Sequence, residues 1–251
     1  MRTALVIAGR DLRALFRSPL AWLLLAGASF IIAWVFLWFV QTYMTTAPHL
    51  PAGEQNPGIT AFVAAPTLLW SALVLVVLTP LLAMRLLAEE RRNGTLNLLR
   101  SAPVSMSALV TGKFVALTAF LWLVVAIAAA MPLSLALGTT LDIGRLGAGV
   151  LALAALAAAF GAICLFISSL TRQPLLAAFA SFGAIIVLWI INLAASTSGS
   201  TSALAWLAFQ PHLNALLRGV VDTADVAYFV IITVFFLGLC VWRLDAERLS
   251  G

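Results

Sequence analysis

Long apolar runs alternate with short polar segments along the whole chain. They cover residues 20–40, 61–87, 108–137, 146–168, 175–195 and 226–242. About 20 apolar residues cross the hydrocarbon core of a bilayer as a helix, and each run is of about that length or longer. None shows the alternating pattern of an outer-membrane barrel strand. The pattern therefore predicts an all-α, polytopic membrane protein whose six transmembrane helices form one domain over residues 20–251.

Residues 1–19, ahead of the first run, have a different pattern. Arg10, Arg13 and Arg17 recur at helical spacing on one side of a predicted helix over residues 2–17. The apolar residues that gather on another side are Leu5, Leu12, Leu15 and Phe16. A basic face opposite an apolar face is typical of a helix that lies in the membrane interface. Pro19 ends this helix, because proline disfavours the α conformation in the residue before it.

Composition and charge indicate the setting and the orientation of the chain. The chain is 63% hydrophobic and 9% charged, whereas soluble domains carry about 25% charged residues. Of the 14 Lys and Arg residues, all but Arg145 and Arg218 fall on the side of the membrane that would hold both termini. Because basic residues concentrate in cytoplasmic segments, both termini are expected in the cytoplasm. This bias accounts for the net charge of +5 without a nucleic-acid partner.

A charged segment at residues 85–107 separates the second and third runs. A charge at the centre of a bilayer costs about 2.5 to 3.5 kcal/mol, so this segment is expected in water at the cytoplasmic face. Two interpretations remain open: a short helix that docks in a groove of a soluble partner, or a solvated loop whose charges only set the topology. The residues of the candidate docking element are Glu89, Glu90, Arg91, Arg92, Gly94, Thr95, Leu96, Leu98, Leu99 and Arg100.

Residue patterns that would support catalysis are missing from the sequence. Gly112-Lys113 lacks the upstream glycine and the following Ser or Thr of a phosphate-binding loop, and no His-Glu-x-x-His, Gly-x-Ser-x-Gly or Cys-x-x-Cys motif occurs. Cys164 and Cys240 lie inside apolar runs, where thiols usually pack as small hydrophobic groups. We therefore expect no catalytic residue, metal or cofactor in this chain, and an energy source in another protein.

Two stretches of the sequence resemble a known family. Residues 89–105 have the pattern Glu-Glu-Arg-Arg-x-Gly-Thr-Leu-x-Leu-Leu-x-Ser-x-Pro-Val-Ser, which resembles the coupling-helix signature of type-2 ATP-binding-cassette exporter permeases. Residues 218–229, just before the last run, resemble the subgroup of gliding-motility (GldF) and nitrous-oxide-reductase maturation (NosY) permeases. The basic amphipathic start and the six runs also match, so the resemblance covers essentially the whole chain.

The resemblance implies partners and a working unit. The chain would be a permease that pairs with a separate ATPase subunit, and that subunit would bind ATP and Mg. Two permease copies and two ATPase subunits would assemble in the inner membrane of a bacterium, and a single-anchor periplasmic protein is a further candidate partner. Residues 1–19 would be the elbow helix, residues 85–107 the coupling segment, and residues 203–224 a pair of re-entrant helices entering from the outer face.

The re-entrant region contains the polar residues of the outer side. Gln210, Pro211 and His212 would lie near its turn, and Arg218 would pair with Asp222 four residues later. His212 and His49 are the only histidines, and a metal-related partner makes them candidate ligands. Two histidines without acidic or cysteine neighbours form a poor metal site, so structural or solvated roles are expected for both.

Two functions fit these expectations. The first is ATP-driven export of a lipid-linked, peptide or polysaccharide substrate. The second is mechanical: the same motion acts on an extracytoplasmic partner and nothing is translocated. An orphan channel or an intramembrane enzyme is a further alternative, but the sequence contains no catalytic constellation. No residue selects a substrate.

Overall fold

The computed structural model describes residues 2–46, 58–92, 94, 105–198 and 208–249. Every regular element in these ranges is helical. The helices are α1 (Arg2–Arg17), α2 (Pro19–Thr46), α3 (Ala65–Leu86, preceded by a π-helical turn at Thr60–Ala64), α4 (Ala88–Arg92), α5 (Met106–Ser134), α6 (Ile143–Leu170), α7 (Pro174–Ser198), α8 (Phe209–Leu217) and α9 (Thr223–Leu249).

Six helical segments are long and apolar enough to cross a membrane. They are Pro19–Thr46, Thr60–Arg92, Met106–Leu137, Ile143–Leu170, Pro174–Ile191 and Thr223–Arg248. The prediction of an all-α fold with six transmembrane helices is therefore confirmed. The main difference lies at the last span, which was predicted to end at residue 242. The helix continues to Leu249, because Arg243 and Glu247 form an ion pair of 3.2 Å across one helical turn.

α6 forms the centre of the bundle. Within its most apolar stretch 61% of the residues are buried, against 17% in both α2 and α9. Small residues allow this close packing: a Cβ added at Gly149 would lie 2.7 Å from a methyl carbon of Leu68 on α3. The outer helices instead expose large apolar side chains such as Phe30 and Trp34. Exposed apolar surface of this extent is expected of a protein whose solvent is lipid.

α1 packs lengthwise along the first turns of α5. A Cβ added at Gly112 would lie 2.8 Å from the carbonyl oxygen of Ala4, so only glycine allows the two backbones to approach this closely. Further along both helices, the rings of Phe16 and Phe120 lie 5.4 Å apart. Of the predicted apolar side of α1, Leu15 is buried in the core, whereas Leu5 remains 67% exposed. The packing of α1 on α5 sets the geometry of the charged site described next.

Candidate functional site

The charged segment begins with a break in the second span. α3 ends at Leu86, and Leu87 leaves the helical conformation with a φ of −121°. The hydroxyl of Ser168 on α6 accepts a hydrogen bond of 3.1 Å from the backbone N–H of Ala88, the first residue of α4. That hydroxyl satisfies one of the N–H groups that a helix start leaves without an intrahelical partner. The break and its cap start α4 at a position where the next charged residues reach α1, α5 and α9.

Four charged side chains form a cluster, named here the Lys113 cluster, between α4, α1 and α5. The Lys113 ammonium lies 2.8 Å from Oε1 of Glu90 and 3.0 Å from Oδ2 of Asp11. Arg10 contacts the same two acids, at 3.2 Å from Glu90 and 3.0 Å from Asp11. The Lys113 side chain is only 1% exposed. A buried charge is tolerated only when it is paired, and the two cations here balance the two carboxylates.

A second set of ion pairs joins α4 to α9. Arg91 lies 2.7 Å from one carboxylate oxygen of Glu247, and Arg243 lies 3.2 Å from the other. The Arg91 and Glu247 side chains are 10% and 19% exposed, so water screens this pair less than a surface pair. Adjacent residues of α4, Glu90 and Arg91, therefore join it to three other helices.

The predicted docking residues divide into four groups. Glu90 and Arg91 turn inward and form the ion pairs described above. Glu89 is half-buried and Arg92 is exposed, and neither forms an ion pair with a described residue. Gly94 adopts a φ of +72°, which favours glycine because it has no Cβ. Thr95, Leu96, Leu98, Leu99 and Arg100 lie outside the described residues, so their docking role stays a prediction.

Several residues of this site were missed by reasoning from the sequence. Lys113 was considered only as part of a failed phosphate-loop motif and as a charge that sets topology. Asp11 and Glu247 were not singled out. Asp11 and Lys113 could have been found from the sequence, because Asp11 is the lone acid of a basic helix and Lys113 is the only charge in a long apolar run. The partners are 102 residues apart in sequence, however, and only the fold brings them together.

The basic residues of α1 lie on its outward side. Arg10, Arg13 and Arg17 are all exposed, as their predicted common face requires. Of these three arginines, only Arg10 contacts the two acids of the Lys113 cluster. At the end of α1 the Ser18 hydroxyl accepts a hydrogen bond of 2.9 Å from Arg85 of α3.

On the opposite side of the molecule, α8 begins deep in the bundle and returns toward its edge. The ring of Phe209, at the start of α8, lies 5.3 Å from the ring of Phe160 in α6. At the other end, Nε of Arg145 donates to the carbonyl of Leu217 at 3.2 Å. Phe160 lies about 25 Å along α6 from its first residue, at 1.5 Å per residue. The first part of the predicted re-entrant pair, residues 203–207, is outside the described residues.

Polar residues near the start of α8 lie close to α9. Gln210 and Pro211 occupy its first turn, where proline is tolerated because the N–H it lacks would have no partner there. Nδ1 of His212 lies 2.6 Å from Oδ1 of Asp225, and its ring stacks on Tyr228 with centroids 4.2 Å apart. Among the described residues, no group of three or more His, Cys, Asp and Glu side chains could hold a metal ion. His49 is outside the described residues.

The predicted pairing of Arg218 with Asp222 is wrong. α8 ends at Leu217, and Gly219 has a φ of +88°, so the two residues are not on one helix. Oδ1 of Asp222 instead accepts a hydrogen bond of 3.0 Å from the backbone N–H of Ala224, at the start of α9. Asp222 thus caps the last span, as aspartate commonly does at helix N-termini.

Comparison with known proteins assigns the family. The sequence model described as ABC-2 family transporter protein matches residues 5–249. No curated protein shows significant similarity to the chain. The chain therefore belongs to the ABC-2 transporter family and is a multi-pass membrane protein of the permease type. Permeases of this family are the membrane subunits of ATP-binding-cassette transporters, which implies an ATPase partner.

Proposed function

We propose that this permease converts the movement of a docked ATPase subunit into movement of its own helices through α4. Two copies of the chain and two ATPase subunits form the working complex in a bacterial inner membrane, with both termini in the cytoplasm. Residues 85–107 form the coupling segment. The complex exports a substrate or performs conformational work on an extracytoplasmic partner.

The observation that carries this proposal is the set of ion pairs around α4. Glu90 is bound to Lys113 of α5 and to Arg10 of α1, whereas Arg91 is bound to Glu247 of α9. These contacts are 2.7 to 3.2 Å long, and all of the side chains except the 56%-exposed Arg10 are mostly shielded from water. A displacement of α4 by a docked subunit would therefore move three helices together rather than deform one loop.

The surface left for docking is separate from these pairs. Arg92 is exposed at the end of α4. Leu96, Leu98 and Leu99, the apolar residues of the predicted docking element, follow it in sequence. An apolar helix face with a basic residue beside it suits a hydrophobic groove with an acidic rim on a soluble subunit. Docking and transmission thus fall on different residues, and they can be tested separately.

Mechanical work without translocation is the second candidate. The cavity between α5, α6 and α9 measures about 290 Å³, and its lining consists almost entirely of apolar atoms from residues such as Trp122, Ala155 and Phe229. The lining of this cavity offers a hydrophilic substrate almost no polar atoms. The resemblance to the GldF and NosY subgroup also favours this version.

Co-expression with the ATPase subunit tests the proposal. The complex is purified in mild detergent, and two quantities are measured: the amount of ATPase subunit retained, and the ATPase rate relative to the free subunit. We expect Glu90→Gln to retain the ATPase subunit but to lose the change in rate, because transmission is broken while docking is intact. Arg92→Glu combined with Leu98→Asp is expected to lose the ATPase subunit. Arg172→Gln, a charge removal in the exposed loop after α6, is the control and is expected to behave as wild type.

Two outcomes would contradict the proposal. A chain that purifies alone even after crosslinking does not couple to an ATPase. A Glu90→Gln complex with a wild-type rate shows that the ion pairs of α4 transmit nothing. A single-anchor periplasmic protein that co-purifies in equal amount would select the mechanical version.

A further inference from the structure

The outward side of α1 borders an open cavity of about 940 Å³ that extends from Leu5 to Ser18, the residue before α2. Arg10, Arg13, Arg17 and Ser18 all line it. The three arginines share one helix face, because residues at i, i+3 and i+7 fall on the same side. The cavity is therefore basic toward its α2 end and apolar around Leu5 and Val6.

Two of these arginines have no acid among the described residues to balance them. Arg10 contacts Asp11 and Glu90, whereas Arg13 and Arg17 form no ion pair with any described residue. Like charges four residues apart on a helix repel each other. An anion bound between Arg13 and Arg17 would attract both side chains and offset this repulsion.

A hydroxyl donor stands beside the two arginines. Ser18 Oγ accepts the hydrogen bond from Arg85, and its own hydrogen takes part in no bond with a described residue. Its hydrogen can therefore be donated to an oxygen in the cavity. Two guanidinium groups and a hydroxyl form a donor set that suits phosphate, because guanidinium matches the geometry of phosphate oxygens.

The neighbouring surface determines the source of the phosphate. α2 starts at Pro19, directly after the basic cavity, and its first turns expose Trp22 by 55% and Leu23 by 71%. The indole N–H of Trp22 donates to the carbonyl of Phe16 at 2.7 Å, which fixes the ring at the corner between α1 and α2. Tryptophan is enriched at the level of lipid headgroups. A phosphate held here would lie where the apolar surface of the first span begins.

We propose that Arg13, Arg17 and Ser18 bind the phosphate of an anionic glycerophospholipid, with its acyl chains lying on the exposed first turns of α2. A free phosphate ion would use the donors but not the apolar surface. The site goes beyond the proposed function, because lipid binding requires neither the ATPase subunit nor the ion pairs of α4. It makes the junction of α1 and α2 a specific lipid contact rather than a general basic surface.

Native mass spectrometry of the purified full chain tests the site, with phosphatidylglycerol and phosphatidylcholine as the lipid probes. An arginine near an anionic lipid surface contributes about a fivefold gain in affinity, so the double variant Arg13→Gln/Arg17→Gln is expected to bind phosphatidylglycerol about 30-fold more weakly. Its phosphatidylcholine binding should not change. Arg13→Lys/Arg17→Lys keeps both charges but removes the planar guanidinium groups, so it should lose part of the preference, which a general basic surface would keep. Arg172→Gln removes an exposed charge elsewhere and should bind as wild type.

Inorganic phosphate, added as a competitor, separates the two sources of the anion. We expect millimolar phosphate to leave the bound phosphatidylglycerol in place, because it lacks the apolar contact with α2. Displacement by phosphate at that concentration would overturn the lipid assignment. The proposal is also overturned if wild type does not prefer phosphatidylglycerol, or if the double variant keeps the preference. The double variant is also co-expressed with the ATPase subunit. If it loses that subunit but binds lipid as wild type does, this face docks a protein instead.

Discussion

Lys113→Met is the most informative single substitution in this chain. Methionine has a similar length and fits the apolar surroundings of α5, but it removes the charge that lies 2.8 Å from Glu90 and 3.0 Å from Asp11. Two carboxylates, 18% and 8% exposed, are then left with Arg10 as their common counter-ion. The substitution therefore tests whether the Lys113 cluster holds α1, α4 and α5 together.

The size of the effect follows from the burial. Removal of one member of a buried ion pair typically destabilises a protein by about 3 to 5 kcal/mol. We expect the lower end, about 3 kcal/mol, because Arg10 still contacts both acids. For chains of about 150 to 250 residues each kcal/mol shifts the melting temperature by about 2 to 4 °C, so the expected decrease is about 6 to 12 °C.

The chain carries its own probe for this measurement. Cys164 and Cys240 are both buried, so a thiol-reactive maleimide dye labels them only when the helices separate. Melting curves of the detergent-solubilised full chain are compared for wild type, Lys113→Met and Arg172→Met. The last variant makes the same type of change at an exposed loop residue, and it should stay within about 0.5 kcal/mol of wild type.

A triple variant distinguishes the ion pairs from simple side-chain packing. Asp11→Leu/Glu90→Met/Lys113→Met removes every charge of the cluster except Arg10, whose side chain is 56% exposed. Replacement of a whole buried ion-pair network by apolar residues of similar volume is often nearly neutral, so the triple variant should recover most of the lost stability. The reasoning is refuted if Lys113→Met melts with the control, or if the triple variant is as unstable as Lys113→Met alone.

Two further substitutions test contacts elsewhere in the fold. Gly112→Ala forces a Cβ to within 2.8 Å of the α1 backbone and should destabilise the protein by about 1 to 3 kcal/mol. Gly183 of α7 has no neighbouring atom within 4 Å of an added Cβ, so Gly183→Ala should stabilise the protein by up to about 1 kcal/mol. A Gly112 variant as stable as the Gly183 variant would contradict the close approach of the two helices. His212→Phe keeps the ring stacking on Tyr228 but removes the partner 2.6 Å from Asp225, so we expect a loss of about 1 to 3 kcal/mol in the same thiol assay. An unchanged melting temperature would exclude a structural role for the histidine's hydrogen bond.

The six transmembrane helices could be predicted from the sequence because each depends only on residues that are adjacent along the chain. Each span is a continuous apolar run, and length with composition identifies it without knowledge of its neighbours. The same local reasoning did not place Gly219 between two elements, although this residue has a positive φ. It failed for Arg218 and Asp222, since the assumed i, i+4 spacing requires one continuous helix and the helix ends before Gly219.

The ion pairs could not be derived in this way. Glu90 was expected to face a partner because it stands in a charged run, and nothing local indicates that Lys113 of α5 would bind it instead. The helical continuation of the last span to Glu247 was also missed, because Trp242 ends the apolar run while the helix is extended by a charge pair and a contact with α4. These are long-range contacts, and one sequence alone does not reveal which isolated charges meet.

The separation of these charges along the chain has a consequence for biogenesis. Asp11 is synthesised 102 residues before Lys113, which corresponds to about 5 to 20 seconds at ordinary rates of translation. During that interval α1 lacks both its buried counter-ion and the glycine surface on which it lies. The N-terminal helix therefore stays near the ribosome exit, in water or at the lipid surface, until the insertion machinery has inserted α5 into the membrane. Arg91 lacks its ion-pair partner for longer, since Glu247 follows it by 156 residues. Assembly of the cytoplasmic end thus proceeds in a fixed order, with α1 secured first and the last span second.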